Sequence, residues 1–218
     1  MARKAETTKQ RLTADRVLDG AMALADQIGI EAFTIRKLAE ALETKPMSIY
    51  YHLASKEAII DGMVDRVFAE IAKPPLDVAW DDAIRVRCDS ALKALVRHPW
   101  AAPLMESRTN PGPETLSHHD AVLGCLAAAG FTTELTAHAY ALIDSYVYGF
   151  ALQLTNLPAT GGVEMQELVE MMSVHLAPYP HLAGFTAAHV LQPGYDFAAE
   201  FGFGLNLILD GLSRASRS

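Results

Sequence analysis

Between Lys45 and Lys56 the chain sets out two ammonium groups, a thioether, hydroxyls, two phenols and an imidazole. Lys45, Pro46, Met47, Ser48, Tyr50, Tyr51 and His52 form a polar and aromatic run suited to base edges and thymine methyls, and Lys56 suits a phosphate. Bond-making chemistry finds no such support. There is no G-x-S-x-G, no G-x-G-x-x-G and no phosphate-cradling Walker loop. Gly202–Phe203–Gly204 lies in a helical pattern and lacks the third glycine. Cys88 and Cys125 sit among apolar neighbours, which favours inert core thiols in a reducing compartment. Seven His lie beyond residue 90, but His118 and His119 point about 100° apart on a helix and no H-x-x-x-H or Cys–His ligand spacing occurs. No metal, cofactor or enzymatic activity is expected.

The elements that must position Lys45–His52 are helices. Ile35, Leu38, Ala39 and Leu42 recur at helical spacing, with Thr34 as N-cap. Glu43–Thr44–Lys45 interrupts that pattern, and Pro46 sits where a helix can begin. Ile49 and Leu53 are the inward face of the second helix. Behind the pair runs a helix from Thr13 to about Gly29 with an apolar stripe through Val17, Ala21, Leu24 and Ile28. Ser55 can cap a fourth helix, placing Lys56 in its first turn, where a helix N-terminus and a cation together seat a phosphate. Two helices about a short turn can enter a major groove, yet the same arrangement is common in all-α proteins that bind no DNA. Spacing leaves both readings open.

The run ALADQIGIEAFTIRKLAEALETKPMSIYYHLASKEAIIDGM resembles the DNA-binding domain of the TetR family of bacterial repressors. The resemblance covers about residues 10–65. It rests on a first helix ending in Gly, a T-x-R-x-L-A second helix, an aromatic pair followed by His, and a K-x-x-I start to the fourth helix. It implies DNA contacts from Thr34, Arg36, Lys45, Pro46, Met47, Ser48, Tyr50, Tyr51, His52 and Lys56. One departure stands out: Glu43 and Thr44 occupy the turn where the family usually has Gly and a small apolar residue, and a carboxylate there opposes phosphate.

Charge is divided along the chain. Residues 1–56 hold nine Lys/Arg against seven Asp/Glu, a net of +2, and residues 57–218 hold nine against nineteen, a net of −10. A polyanion can therefore be met only at the N-terminal end. The opening arm, with Arg3, Lys4, Lys9 and Arg11, suits phosphates or a minor groove, or is a solvated tail. The first thirty residues are charged and helical in pattern, so no secretory leader is expected. Asp144 interrupts the best candidate for a membrane span, so no membrane partner is expected and the chain reads as cytoplasmic.

Helical patterns continue to the C-terminus, with no strand-period segment and no repeat, so the class is all-α. Helices are predicted over about 56–72, Asp81–His98, Pro113–Ala129, Thr132 or Thr133 to Thr155, Val163–Leu176, Pro180–Ala188 and Asp196–Arg214. Three regions follow: a helix-turn-helix DNA-binding domain with its arm at 1–56, a connecting helix at 57–75, and an effector-binding and dimerisation domain at 76–218. HPWAAPLMESRTNPGPETL, YVYGFALQ and FGFGLNLILDGL resemble the effector domain of tetracycline-repressor-type members. Arg108 matches that subgroup's metal–drug Arg, but Leu104 stands where its His would be, so a magnesium–tetracycline effector is not implied. The resemblance implies a homodimer, and apolar residues on several faces nominate Gly149, Phe201, Gly204, Leu205, Ile208 and Leu212 for its interface. Glycines in the last helix cost about 1 kcal/mol each, which a close backbone approach would explain.

A pocket between helices would draw on Trp100, Leu104, Met105, Arg108, His138, Asp144, Tyr148, Gln153 and Met172. No Lys or Arg occurs from Thr109 to Ser213. Of the cations Arg85, Arg87, Lys93, Arg97 and Arg108, most are expected to face solvent. The effector is accordingly expected to be neutral or cationic, apolar and ring-containing, anchored by Asp144, Tyr148 and Trp100. Two functions emerge: a ligand-responsive repressor of a palindromic operator, and, as the alternative, a small-molecule-binding or catalytic all-α protein that no longer binds DNA.

Overall fold

A computed structural model describes residues 11–217 of the chain. The arm residues Arg3, Lys4 and Lys9 lie outside the described residues. Among the described residues are ten α-helices and no strand, only an isolated antiparallel bridge between Gly161 and Asp196. Backbone contacts divide the chain into two compact units, the first reaching to Glu70 and taking in Arg97–Ser117, the second comprising Ile71–Val96 and everything from His118 onward. The first unit is thus discontinuous in sequence, unlike the three consecutive regions 1–56, 57–75 and 76–218 read from the sequence.

In the first unit, α1 (Ala14–Ile28) begins where the Thr13 hydroxyl accepts from Arg16 N at 3.2 Å and ends at Gly29, φ +74°. Its stripe of Val17, Ala21, Met22, Leu24 and Ala25 is buried. α2 (Ile35–Ala41) is capped by Thr34, whose hydroxyl accepts from Lys37 N at 3.2 Å. α3 (Pro46–Tyr50) is little more than one turn, with Pro46 in its first turn and Ile49 fully buried beneath it. α4 (Lys56–Glu70) buries Ile59, Ile60, Met63, Val64, Val67 and Phe68. Arg66 on α4 pairs with Asp15, at 2.8 Å, and with Asp19, both on α1.

The end of α2 is closed by a pair of reversed hydrogen bonds, Thr44 N to Ala39 O at 2.9 Å and Glu43 N to Glu40 O at 3.1 Å. Those bonds define a Schellman turn and demand a left-handed residue at its corner. Here that residue is Glu43, at φ +51°, the one non-glycine among the described residues with positive φ.

The second unit holds α5 (Trp80–Arg97) up to Val96, α6 (Pro113–Ala128) from His118, α7 (Thr133–Asn156), α8 (Gly162–Leu176), α9 (Pro180–Phe185) and α10 (Glu200–Ala215). α6 closes in the same Schellman pattern as α2, with Gly130 at φ +83° on the corner. The helix predicted over 180–188 divides into α9 and a wider π-helical turn over Thr186–Val190. Rings join α7 to α10 and to the 3-10 turn before it: Tyr146 stacks on Phe201 of α10 at 5.3 Å between centroids, and Phe150 on Phe197 of the turn at 5.0 Å. Gly161 is required by the bridge to Asp196, since a Cβ there would sit 2.2 Å from Tyr195 O.

Candidate nucleic-acid interface and effector-binding residues

The local sequence around α3 explains what it presents. Burial of Ile49 sets the rotation of the turn, so its neighbours must face away. Met47 is 76% and Tyr51 88% exposed, and Lys45, Pro46 and Tyr50 are also on the surface. The helix gives way after Tyr50 to a turn in which His52 N donates to Ile49 O at 2.9 Å. Tyr51 and His52 therefore stand on that turn, their rings edge to face at 5.4 Å. With Leu12, Thr44, Met47 and Ser48 they line an open concave surface.

Groups whose chemistry suits phosphate stand near that surface. Ser55 Oγ accepts from Ala58 N at 3.0 Å, capping α4, and Lys56 follows as its first residue. Lys56 Nζ lies 5.8 Å from the centre of the buried Phe33 ring, which steadies its long side chain by a cation–π contact. Thr34 uses a lone pair for its cap and keeps its hydroxyl proton to donate. Arg36 is paired with Glu40 at 3.1 Å, both largely exposed, an i,i+4 pair that is weak enough to exchange for phosphate.

The nine pocket candidates divide between the units. Trp100, Leu104, Met105 and Arg108 belong to the first, where each has a local task or neighbour. Trp100 Nε1 donates to Asp26 Oδ1 at 2.6 Å, and the same carboxylate oxygen meets His98 Nδ1 at 2.7 Å. Arg108 donates from Nε to Asp61 at 2.6 Å and from Nη2 to Glu57 at 2.7 Å, and Asp65 accepts the Thr115 N–H and hydroxyl at 2.8 and 2.9 Å. Glu57, Asp61 and Asp65 are one stripe of α4, spaced four apart, and they fasten the 108–115 segment along it. Hydrogen bonding from Glu57, then Asp61, outweighs burial and raises the Arg108 pKa. Met105 is buried and Leu104 half-buried.

The other five lie in the second unit. His138, Gln153 and Met172 are exposed, His138 standing 3.9 Å from Glu134 on the outer face of α7. Only Asp144 and Tyr148 turn inward. Asp144 is 6% exposed and is held by a residue expected to face solvent: Arg87 on α5 is 0% exposed, and its Nη1 donates to Asp144 Oδ1 at 2.6 Å. Arg87 Nε donates to His118 Nε2 on α6 at 3.0 Å. An arginine has no acceptor, so His118 is neutral and carries its proton on Nδ1. Burial first, then the Arg87 charge, pushes the His118 pKa down to about 3. Burial alone would lower the Arg87 pKa, but the charge of Asp144, with smaller contributions from Tyr148 and Cys88, raises it. The Cys88 thiol is pushed up to about 11 by burial, which leaves it inert. Arg87 and His118 escaped the sequence reading. A signal was present, because Arg87 falls on the inward α5 stripe with Ile84, Cys88 and Ala91.

The proposed dimer stripe on α10 also separates. Phe201, Leu205 and Leu212 are buried within their own protomer, and Gly204 is explained there too, since a Cβ would sit 2.4 Å from Tyr146 Oη. A residue whose surface is already covered cannot anchor a second chain. The outward face of α10 is instead Phe203 and Leu207, at 67% and 56% exposed, with Gly211; Ile208 is intermediate, and Gly149 is exposed on α7. No helix among the described residues is long and apolar enough to cross a membrane.

Comparison with known proteins agrees with this geometry. Residues 17–63 match the family described as bacterial regulatory proteins, tetR family, and residues 73–215 match the tetracyclin repressor-like C-terminal domain. An HTH-type transcriptional regulator of Saccharopolyspora erythraea is 32% identical, over 96% of this chain and 88% of its own. The HTH-type transcriptional repressor DrrR1 of Streptomyces coeruleorubidus is 34% identical, over 94% of this chain and 78% of its own. Among solved structures, the Streptomyces coelicolor TetR family protein ActR in complex with actinorhodin superposes with a TM-score of 0.75 at 26% identity, covering 96% of this chain and 100% of that one. Both family matches together span most of the chain, and the chain therefore belongs to the TetR family of transcriptional regulators.

Proposed function

We propose that the chain is a cytoplasmic, homodimeric repressor that places Lys45–His52 in the major groove of each half-site of a palindromic operator and is released by a small effector held in its second unit. The observation that carries this reading is the α3 turn: one buried anchor, Ile49, beneath exposed Met47, Tyr50 and Tyr51. Those large side chains stand on the surface, the Tyr51 ring against His52, and base edges and thymine methyls would use them. Lys56 at the capped start of α4, with Thr34 and Arg36, supplies phosphate contacts on either side. The second copy docks on the outward apolar face of α10, Phe203 and Leu207, together with Gly149 on α7 and the exposed Val163, Met171 and Val174 of α8. ActR bound to actinorhodin and DrrR1, named a repressor, support a ligand-responsive role. The effector acts by its preference for the state that binds operator poorly.

The test is binding to the DNA upstream of the chain's own coding sequence, against random DNA, over a range of salt. Tyr51→Ala should lose operator affinity by about tenfold or more while leaving random DNA nearly untouched, as expected for a base contact. Lys56→Ala should weaken both and reduce the salt slope by about one phosphate per subunit. Equal affinity of the wild type for operator and random DNA would remove the reading.

A further inference from the structure

We propose that the buried Arg87–Asp144 pair is the polar anchor of the effector, and that it selects an uncharged ligand presenting a hydrogen-bond acceptor and donor side by side on an apolar frame. This rests on the repressor reading above and narrows it to a ligand class. The pair is joined by a single hydrogen bond, Arg87 Nη1 to Asp144 Oδ1 at 2.6 Å, rather than by the two parallel bonds of which a guanidinium and a carboxylate are capable. The other atom of each fork, Arg87 Nη2 and Asp144 Oδ2, is buried and makes no hydrogen bond. One is an unused donor and the other an unused acceptor, on side chains that are 0% and 8% exposed. Native interiors rarely leave both ends of one pair unmet, and an unsatisfied charged group is costly to keep.

The chemistry of a complement follows from those two atoms. Nη2 needs an acceptor, such as a carbonyl oxygen. Oδ2 needs an O–H or N–H donor. A primary amide, a lactam or a hydroxy-ketone carries both within one or two carbons of each other. Charge decides against the other classes. Asp144 is already neutralised by Arg87, and His118, whose Nε2 accepts from Arg87 Nε, is neutral, so the cluster as a whole carries no net charge. An anion arriving at Nη2 would face the Asp144 carboxylate, and a cation at Oδ2 would face the guanidinium, each desolvated without a counter-charge. The expectation of a cationic effector drawn to Asp144 is thereby withdrawn, because Arg87 supplies the counter-ion the sequence had assigned to solvent.

The probes are four naphthalenes that differ only at position 1: carboxamide, carboxylate, aminomethyl and methyl ester. Each is titrated against the full chain, by thermal shift and by release of fluorescent operator. The carboxamide should bind at least tenfold more tightly than the other three. The double variant Arg87→Met with Asp144→Leu replaces the pair by apolar groups of similar size and so avoids leaving one charge stranded. Its cooperative melting shows that it is folded, and in it the carboxamide should lose its advantage over the ester. A tightest-binding carboxylate or amine, four equal affinities, no binding by any probe, or a preference that survives in the double variant would each overturn the proposal. Should the double variant not fold, Asp144→Asn takes its place, with the same loss of preference required. Operator affinity of the wild type without probe tests the repressor reading separately.

Discussion

Arg87 and Arg108 are the same side chain in two surroundings. Arg108 is 17% exposed at its side chain and meets two carboxylates of α4, one of them, Glu57, open to solvent at 68%. Arg87 is 0% exposed and meets one carboxylate and one neutral imidazole. More carboxylates accompany the arginine that needs them less. Near the surface water still solvates the pair, so extra ion pairs fasten the 108–115 segment without large individual worth. In the interior each charge forfeits its hydration, so a single good partner decides whether the residue can be there at all. The first arrangement is a fastening, and the second is a commitment of the core to a particular polar group.

That contrast predicts a wide spread of effects. The largest belongs to Arg87→Met alone, which leaves Asp144 buried and unpaired and should cost about 3–5 kcal/mol in urea unfolding. Adding Asp144→Leu should recover most of it. A single-variant loss below about 1 kcal/mol would mean that Asp144 finds another partner, and the contrast with Arg108 would collapse.

Next comes acid. His118 is neutral in the fold with its pKa lowered to about 3, against 6.5 for the free side chain. Between those values the unfolded chain binds a proton that the folded chain does not. Stability is therefore full above about pH 6.5 and falls by about 1 kcal/mol per pH unit as the pH drops toward 3. His118→Gln keeps an acceptor oxygen for Arg87 and should remove that part of the slope. An unchanged slope in the variant would assign the acid sensitivity elsewhere.

Arg108→Ala should cost less, about 1–2 kcal/mol, because Glu57 and Asp61 can turn to water. Its penalty should shrink in 1 M salt, where screening acts within about 3 Å, while the Arg87 penalty should not. Similar salt sensitivity for both would sink the distinction between them.

The smallest effects come from a second matched pair, the two Schellman corners. Gly130 adopts φ +83° without strain, whereas Glu43 bears a Cβ at φ +51°. Glu43→Gly should stabilise the chain by about 0.5–1 kcal/mol, and Gly130→Ala should destabilise it by about 1 kcal/mol. Because Glu43 is exposed beside the recognition turn, the glycine variant should also bind DNA somewhat more tightly at low salt. Thermal melts and binding isotherms of the two variants check the signs.

Helix periods and caps are local, and they could be read directly. Thr13, Thr34 and Thr132 each accept from the amide three residues on, and Pro46 opens α3. These choices involve neighbours within one turn, so composition and spacing suffice to place them. The same locality identified the turn at Glu43 and the outward set Met47, Tyr50 and Tyr51, because burying Ile49 leaves them no other direction. Side-chain partnership is another matter. Arg87 meets His118 across 31 residues and Asp144 across 57, and Trp100 meets Asp26 across 74. A stripe on α10 tells that one face is apolar, but two such stripes exist, and packing against Tyr146 and Phe150 chose Phe201 and Leu205 for the interior and left Phe203 and Leu207 outside. Secondary structure follows from the energetics of each residue with its near neighbours. Which charge is buried, and against what, depends on how separate helices come together, since desolvation and pairing are set by everything that surrounds the group.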